Sequence, residues 1–165
     1  MIIGIDPSLR HMGIVVFDDK LGTSTYNTVF ETKRMGAERL NLAYEFVNSL
    51  LVMYKPELVV IEGYAFGARG SMVFSIGELG GVLRLLLYQK SIKTVEIPPT
   101  TLKKFVCGKG NVKKNILIKE VYKKWGIDFD DDNLADAYGL ARIGSVIVNK
   151  SKLKKYERES LKNYL

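Results

Sequence analysis

Met1-Ile2-Ile3-Gly4-Ile5-Asp6 is a short apolar run that ends on a carboxylate. Pro7 and Ser8 break it, and a second apolar run, Gly13-Ile14-Val15-Val16-Phe17, begins almost at once. Such a pair reads as two neighbouring strands in a hairpin. Gly22–Thr32, rich in Thr, Tyr, Val and Phe, adds a third strand. Helices and strands then alternate. Leu40, Tyr44, Val47, Leu51 and Tyr54 recur at helical spacing within Gly36–Lys55, and Pro56 stops that helix. Leu58-Val59-Val60-Ile61 is apolar throughout, as expected of a central strand, and it too ends on an acid, Glu62. Val73–Gln89 reads as a helix, and Lys93–Ile97 as a fifth strand halted by Pro98-Pro99. A short helix capped by Thr100 or Thr101 runs through Val106, and a basic helix spans Val112–Trp125. The last core helix spans Asp132–Val148, with Leu134, Tyr138, Ala141 and Ser145 on one face. Hairpin strands first and alternation later predict an α/β fold on one mixed sheet.

The whole chain narrows the function classes. Its 165 residues suggest one domain, and 47% hydrophobic with 26% charged residues is a globular composition. A net charge of +7 favours a polyanionic partner, nucleic acid before an anionic membrane; a solvated lysine face is the plainer reading. Cys107 is the only cysteine, which excludes an internal disulfide and suggests a reducing compartment. His11 is the only histidine, which excludes multi-histidine metal sites. No targeting signal is apparent and no apolar run approaches the ~20 residues of a membrane helix, so a cytoplasmic protein is expected. The chain divides into a domain over residues 1–148 and a basic C-terminal tail over 149–165.

Asp6 and Glu62 end two strands, while Asp130-Asp131-Asp132-Asn133-Leu134-Ala135-Asp136 opens a helix. Carboxylates gathered in one cleft repel unless a cation lies between them. Mg²⁺, which prefers oxygen ligands, resolves the conflict, and two such ions ~3.5–4 Å apart serve phosphodiester cleavage. Asp132 and Asp136 are four apart and share a helix face. Each acid also has a plainer role. Asp6 can start a turn, and Glu62 can be a solvated strand end. Asp130, Asp131 and Asp132 can answer the helix dipole, with Asp132 or Asn133 as the N-cap. Asp136, inside an apolar helix, fits none of these.

Gly4-Ile5-Asp6-Pro7-Ser8-Leu9-Arg10-His11-Met12-Gly13, Ile61-Glu62 and Asp132-Asn133-Leu134-Ala135-Asp136-Ala137 together resemble the RuvC-type Holliday junction resolvases. The likeness is to the compact forms of bacteriophages and some low-GC bacteria. It runs from Met1 to about Val148, supported by Ile76–Val82 and by Leu102–Gly110. It implies a ribonuclease-H-like fold with a five-stranded mixed sheet, its first three strands antiparallel, flanked by helices. It also implies a homodimer, Mg²⁺ or Mn²⁺ with two ions per site, and paired nicks in a four-way DNA junction. Asp6, Glu62 and Asp136 match the first, second and fourth catalytic, metal-holding acids. The third lies three residues before the last in the bacterial enzymes, which is Asn133 here. The phage-like pattern has it four before, at Asp132, with Asp131 as the fallback.

Eight lysines and one acid, Glu120, lie between Lys103 and Lys124. The resemblance implies that Lys103 and Lys114 contact the DNA backbone, with Lys113 as an adjacent substitute. A solvated helix face is the alternative. Gly108 and Gly110 follow a helix and not a strand, so no nucleotide cofactor is expected. The family places a base-stacking aromatic where Ala65 stands, so Phe66 or Tyr64 takes over, or else both rings pack locally. Arg69 is a candidate phosphate clamp.

These readings converge on a metal-dependent, structure-selective DNA endonuclease of the junction-resolving type. A dimer suits paired nicking, since two sites must face a pseudo-two-fold junction. The apolar Val73–Gln89 helix is its candidate interface. The rivals are a flap or branched-DNA nuclease of the same fold, a non-catalytic junction-binding protein, and an actin-like ATPase sharing the first strand.

Overall fold

The computed structural model describes residues 1–64, 72–150 and 152–165. Five strands form one mixed sheet: β1 (Ile2–Asp6), β2 (His11–Asp18), β3 (Thr23–Glu31), β4 (Leu58–Glu62) and β5 (Thr94–Ile97). Their order is β3-β2-β1-β4-β5. β1 pairs antiparallel with β2, and β2 with β3, while β4 runs parallel to β1 and β5 to β4. This is the expected mixed sheet.

Side chains alternate across a strand, so parity sorts the sheet into two faces. Ile2, Val15, Phe17, Leu58 and Val60 point to one core; Ile3, Ile5, Ile14, Val16, Val59 and Ile61 point to the other. The second face is covered by α1 (Gly36–Tyr54) and α2 (Met72–Gln89), which bury Ala43, Val47, Leu50 and Leu51, and Leu79, Leu83, Leu86 and Leu87. Each such Leu contributes about 1.5–3 kcal/mol by leaving water. α2 has the length and apolarity of a membrane-crossing helix, contrary to the sequence expectation. Its buried leucines are spent on the sheet instead.

The first face is covered by α5 (Asp132–Asn149), with α3 (Pro99–Cys107), α4 (Lys114–Trp125) and the short α6 (Lys155–Ser160) around it. α5 approaches the sheet closely because glycines let it. A methyl group on Gly4 of β1 would collide with Ala137 O and stand 2.7 Å from Ala141 N. One on Gly13 of β2 would collide with Asn133 O. The helix backbone therefore rests directly on β1 and β2.

Two caps differ from expectation. Asp131, not Asp132 or Asn133, is the N-cap of α5; its Oδ1 accepts from Asn133 N at 2.8 Å and Leu134 N at 3.1 Å. That side chain reaches back onto two otherwise orphaned amides, a role worth about 1 kcal/mol. α3 is capped by Pro98 with Pro99 as its first residue, so neither threonine is used; proline needs no amide partner at that position.

Candidate active site

Parity carries Asp6 and Glu62 to the same side. Asp6 follows Ile2 and Gly4 on the α5 face of β1. Glu62 follows Leu58 and Val60 on β4. Ile5 pairs with Ile61, so the two acids come one step later at the ends of adjacent parallel strands. Asp6 stands opposite Gly13, the residue on which Asn133 of α5 rests. Asp136 lies one turn further along that helix. The sheet thus supplies two carboxylates, and the glycine contacts bring up a third.

The result is one cleft of about 1250 Å³, lined by Asp6, Glu62, Asp136, Asn133 and Lys103 on its acidic side. Asp6 is only 6% exposed and is the one buried charged residue among those described. Asp132 is half-buried at the first position of α5 and is not among the lining residues. Asp131, the fallback, spends its carboxylate on the cap and on Asn133 Nδ2, 3.1 Å away. Asp6, Glu62, Asp132 and Asp136 each interact with a neighbouring group.

The donors suit a hard divalent cation in kind, since Asp6, Glu62, Asp136 and the Asn133 amide offer oxygen around one cleft. Among the described residues, however, no three His, Cys, Asp or Glu side chains are gathered as a metal-holding cluster. The location and chemistry fit; the close gathering is not present.

Of the expected DNA contacts, Lys103 lines the cleft, while Lys113 is the exposed N-cap of α4. Phe66, Arg69 and the side chain of Lys114 lie outside the described residues. Tyr64 is turned onto α2. Its hydroxyl donates to Gly77 O at 3.1 Å and accepts from Arg84 Nη1 at 3.0 Å, and the Arg84 guanidinium lies 4.3 Å from the ring centroid. Glu96 holds Arg84 in place through Nε at 2.8 Å. Tyr64 thus pins the end of β4 to α2. Burial, then the neighbouring Glu120 charge, pushes the Cys107 thiol up to about 11, leaving it an inert thiol.

Sequence reasoning placed Arg10 and His11 in the loop after Asp6 but missed the rest of the opposite wall, Lys33, Arg34 and Arg39. Arg10, Lys33, Arg34 and Arg39 line the cleft with His11, whose Nδ1 lies 3.1 Å from Glu31 Oε1. The signal was available in the hairpins. β3 runs back beside β2, so Thr32-Lys33-Arg34 must return to the edge where β1 ends. A cleft with carboxylates at its floor and cations on both rims suits a phosphodiester backbone.

A family model described as Crossover junction endodeoxyribonuclease RuvC matches residues 2–143. The crossover junction endodeoxyribonuclease RuvC of Dictyoglomus thermophilum is 31% identical over 147 residues, covering 85% of this chain and 92% of its own. That of Carboxydothermus hydrogenoformans is 29% identical over 148 residues, covering 87% and 94%. The Thermus thermophilus RuvC structure shares the fold with a TM-score of 0.70 at 22% identity, covering 87% of this chain and 96% of that one. T. thermophilus RuvC in complex with Holliday junction substrate gives 0.72 at 20% identity, with the same coverage.

Proposed function

The chain belongs to the crossover junction endodeoxyribonuclease RuvC family, and from that premise we propose that it resolves four-way DNA junctions by metal-dependent phosphodiester hydrolysis. The observation that carries this reading is the convergence of Asp6, Glu62 and Asp136 with Lys103 in one cleft rimmed by cations. Residues 1–148 are the nuclease domain, with residues 149–165 appended. A DNA-processing enzyme of this kind works in the cytoplasm, where its substrate is.

Asp6, fixed in the sheet, is the reference point of the site. With Asp6, Glu62 and Asp136 would hold the cation, and Asp132, on the helical face of Asp136, would be the third acid. Two Mg²⁺ ions held there, or Mn²⁺ in their place, would supply water activation and stabilisation of the leaving oxygen. Lys103 on one rim and Arg10, Lys33 and Arg39 on the other grip backbone phosphates on either side of the scissile bond. Lys113 and Lys114 extend that grip along α4. Tyr64 is engaged by Arg84, so base stacking falls to Phe66, and Arg69 is the phosphate clamp. The protein works as a homodimer, which presents two identical sites to two strands. Its interface is α2, where Phe74, Leu85 and Tyr88 are exposed along one side with Gly77 and Gly81 between them.

One observation favours a second reading. Asn133 lines the cleft where the bacterial pattern has an acid, which favours a site that binds junctions without cutting them. The test is cleavage of a labelled four-way junction, with duplex and flap controls, with and without Mg²⁺. Symmetric paired nicking that vanishes in Asp6→Asn supports the resolvase. Loss in Asp132→Asn supports that acid; retained activity there, with loss in Asn133→Ala, transfers the role to Asn133. Flap cleavage without paired nicks, or tight binding without cleavage, overturns the resolvase reading.

A further inference from the structure

The C-terminal segment is firmly docked, and its outward side is strongly cationic. Leu161 is fully buried in the α5-face core. Lys124 of α4 and Glu157 of α6 pair at 3.1 Å, each 13% exposed. Lys124 Nζ also donates to Phe105 O at 2.8 Å and lies 5.0 Å from the Tyr156 ring centroid. Tyr156 packs at Gly108, where an added Cβ would lie 3.8 Å from Tyr156 Cδ2. α6 is therefore fastened to α3, to α4 and to the turn that joins them.

Its inward-facing acid is neutralised by Lys124, while the outward side is not balanced. Residues 150–165 hold six Lys and Arg against two Glu, which is four of the chain's seven net positive charges. Lys152, Lys155, Arg158 and Lys162 are exposed; Glu159 is the segment's exposed acid. Lys109 and Lys113, both exposed, stand on the turn and helix start beside Gly108. The same α3 carries Lys103 into the cleft. A rigid array needs little ordering on binding, so its charges act together on a repeating polyanion. The family match ends at residue 143, so this surface is an addition beyond the matched nuclease domain.

From docking, charge and position we infer that the outward side of α6 and its flanks is a second DNA-binding surface. It holds the backbone of a duplex arm that leaves the cleft past the α3–α4 turn. The inference rests on the resolvase reading for its substrate, but its readout is separate. It contributes to binding and encounter, and takes no part in chemistry.

The test uses the full chain with Lys152→Gln, Lys155→Gln, Arg158→Gln and Lys162→Gln combined, which leaves Lys124, Tyr156, Glu157 and Leu161 in place. Binding to a labelled four-way junction and to a plain duplex is measured by fluorescence anisotropy between about 50 and 200 mM salt, in an Asp6→Asn background. Both affinities are expected to fall about tenfold or more, and the log–log salt slope to shrink by about 2. With Asp6 restored, cleavage at saturating enzyme and the melting temperature are expected to stay as they were. Unchanged affinity and slope would overturn the inference and leave α6 to another acidic partner or to solvent. A lower saturated cleavage rate would also overturn it. Absence of junction cleavage by the unsubstituted protein would instead sink the resolvase reading, and the duplex slope would still decide the role of α6.

Discussion

The two faces of the sheet are packed by different means. On the α1/α2 face, apolar side chains fill the space between helix and strand, and α2 leaves Phe74, Leu85 and Tyr88 to solvent. On the α5 face, helix backbone meets strand backbone at Gly4 and Gly13. Side-chain packing relaxes by rotamer change; contact between backbones does not. The acids of the cleft belong to the second kind of face. That is where a carboxylate on a helix, Asp136, can be held at a set height above two on a sheet, Asp6 and Glu62. The α1/α2 face is left able to accept a partner through the exposed side of α2.

The largest expected effect breaks the backbone contact. Gly4→Ala places a methyl against Ala137 O and Ala141 N, which cannot move aside, and should cost about 3 kcal/mol or more in urea or thermal unfolding. Recovery of wild-type stability would mean that α5 is seated less tightly than described. Gly13→Ala acts nearer the site. Its methyl displaces the first turn of α5 at Asn133, shifting Asp136 relative to Asp6. Junction cleavage at saturating enzyme should fall about a hundredfold with binding retained.

The α5 face also contains the Lys124–Glu157 pair, which lends it a pH dependence. Burial works to raise the Glu157 carboxyl, but the Lys154 amide and the Lys124 ammonium outweigh it and hold it below the ordinary glutamate value. A lowered folded value stabilises above the unfolded one, and this stability is lost as pH falls through the folded value. Glu157→Gln should cost about 1–2 kcal/mol near neutral pH, and melting curves of wild type and variant should converge on acidification. Parallel curves at every pH would refute this.

The smallest effect has the opposite sign and sits on the other face. Gly81→Ala on α2 meets nothing within 4 Å. The monomer should gain about 0.5–1 kcal/mol from helix propensity. If α2 is the dimer interface, sedimentation should show weaker self-association at the same time, since the methyl keeps the helices apart.

Much of this was legible beforehand. The apolar run Met1–Asp6 reads as a hairpin strand ending on an acid and Leu58–Glu62 as a buried central strand repeating the pattern, and both are buried strands in the structure. Asp136 was singled out because capping could not explain it. What misled were neighbours of nearly equal chemistry. Asp131, Asp132 and Asn133 all suit a helix start, and only the backbone angles of Asp131 decide which is the cap. Tyr64 and Phe66 are equivalent candidates in the sequence, but Arg84, twenty residues away, lies against the Tyr64 ring. The cationic rim of Lys33, Arg34 and Arg39 was overlooked although the up-down-up order of β1 to β3 brings it to the site.

Local chemistry is written in the chain. Alternation, apolar runs, prolines and charge determined the strands, the helices, the mixed sheet and the acidic character of the site. Each depends on residues within a few positions of one another. Only the tertiary structure decided which acids line one cleft, because that depends on α5 resting on Gly4 and Gly13, contacts that span more than a hundred residues. It also decided that the basic segment after residue 150 is docked, because one buried leucine and one ion pair to α4 outweigh the tendency of a charged stretch to stay in water.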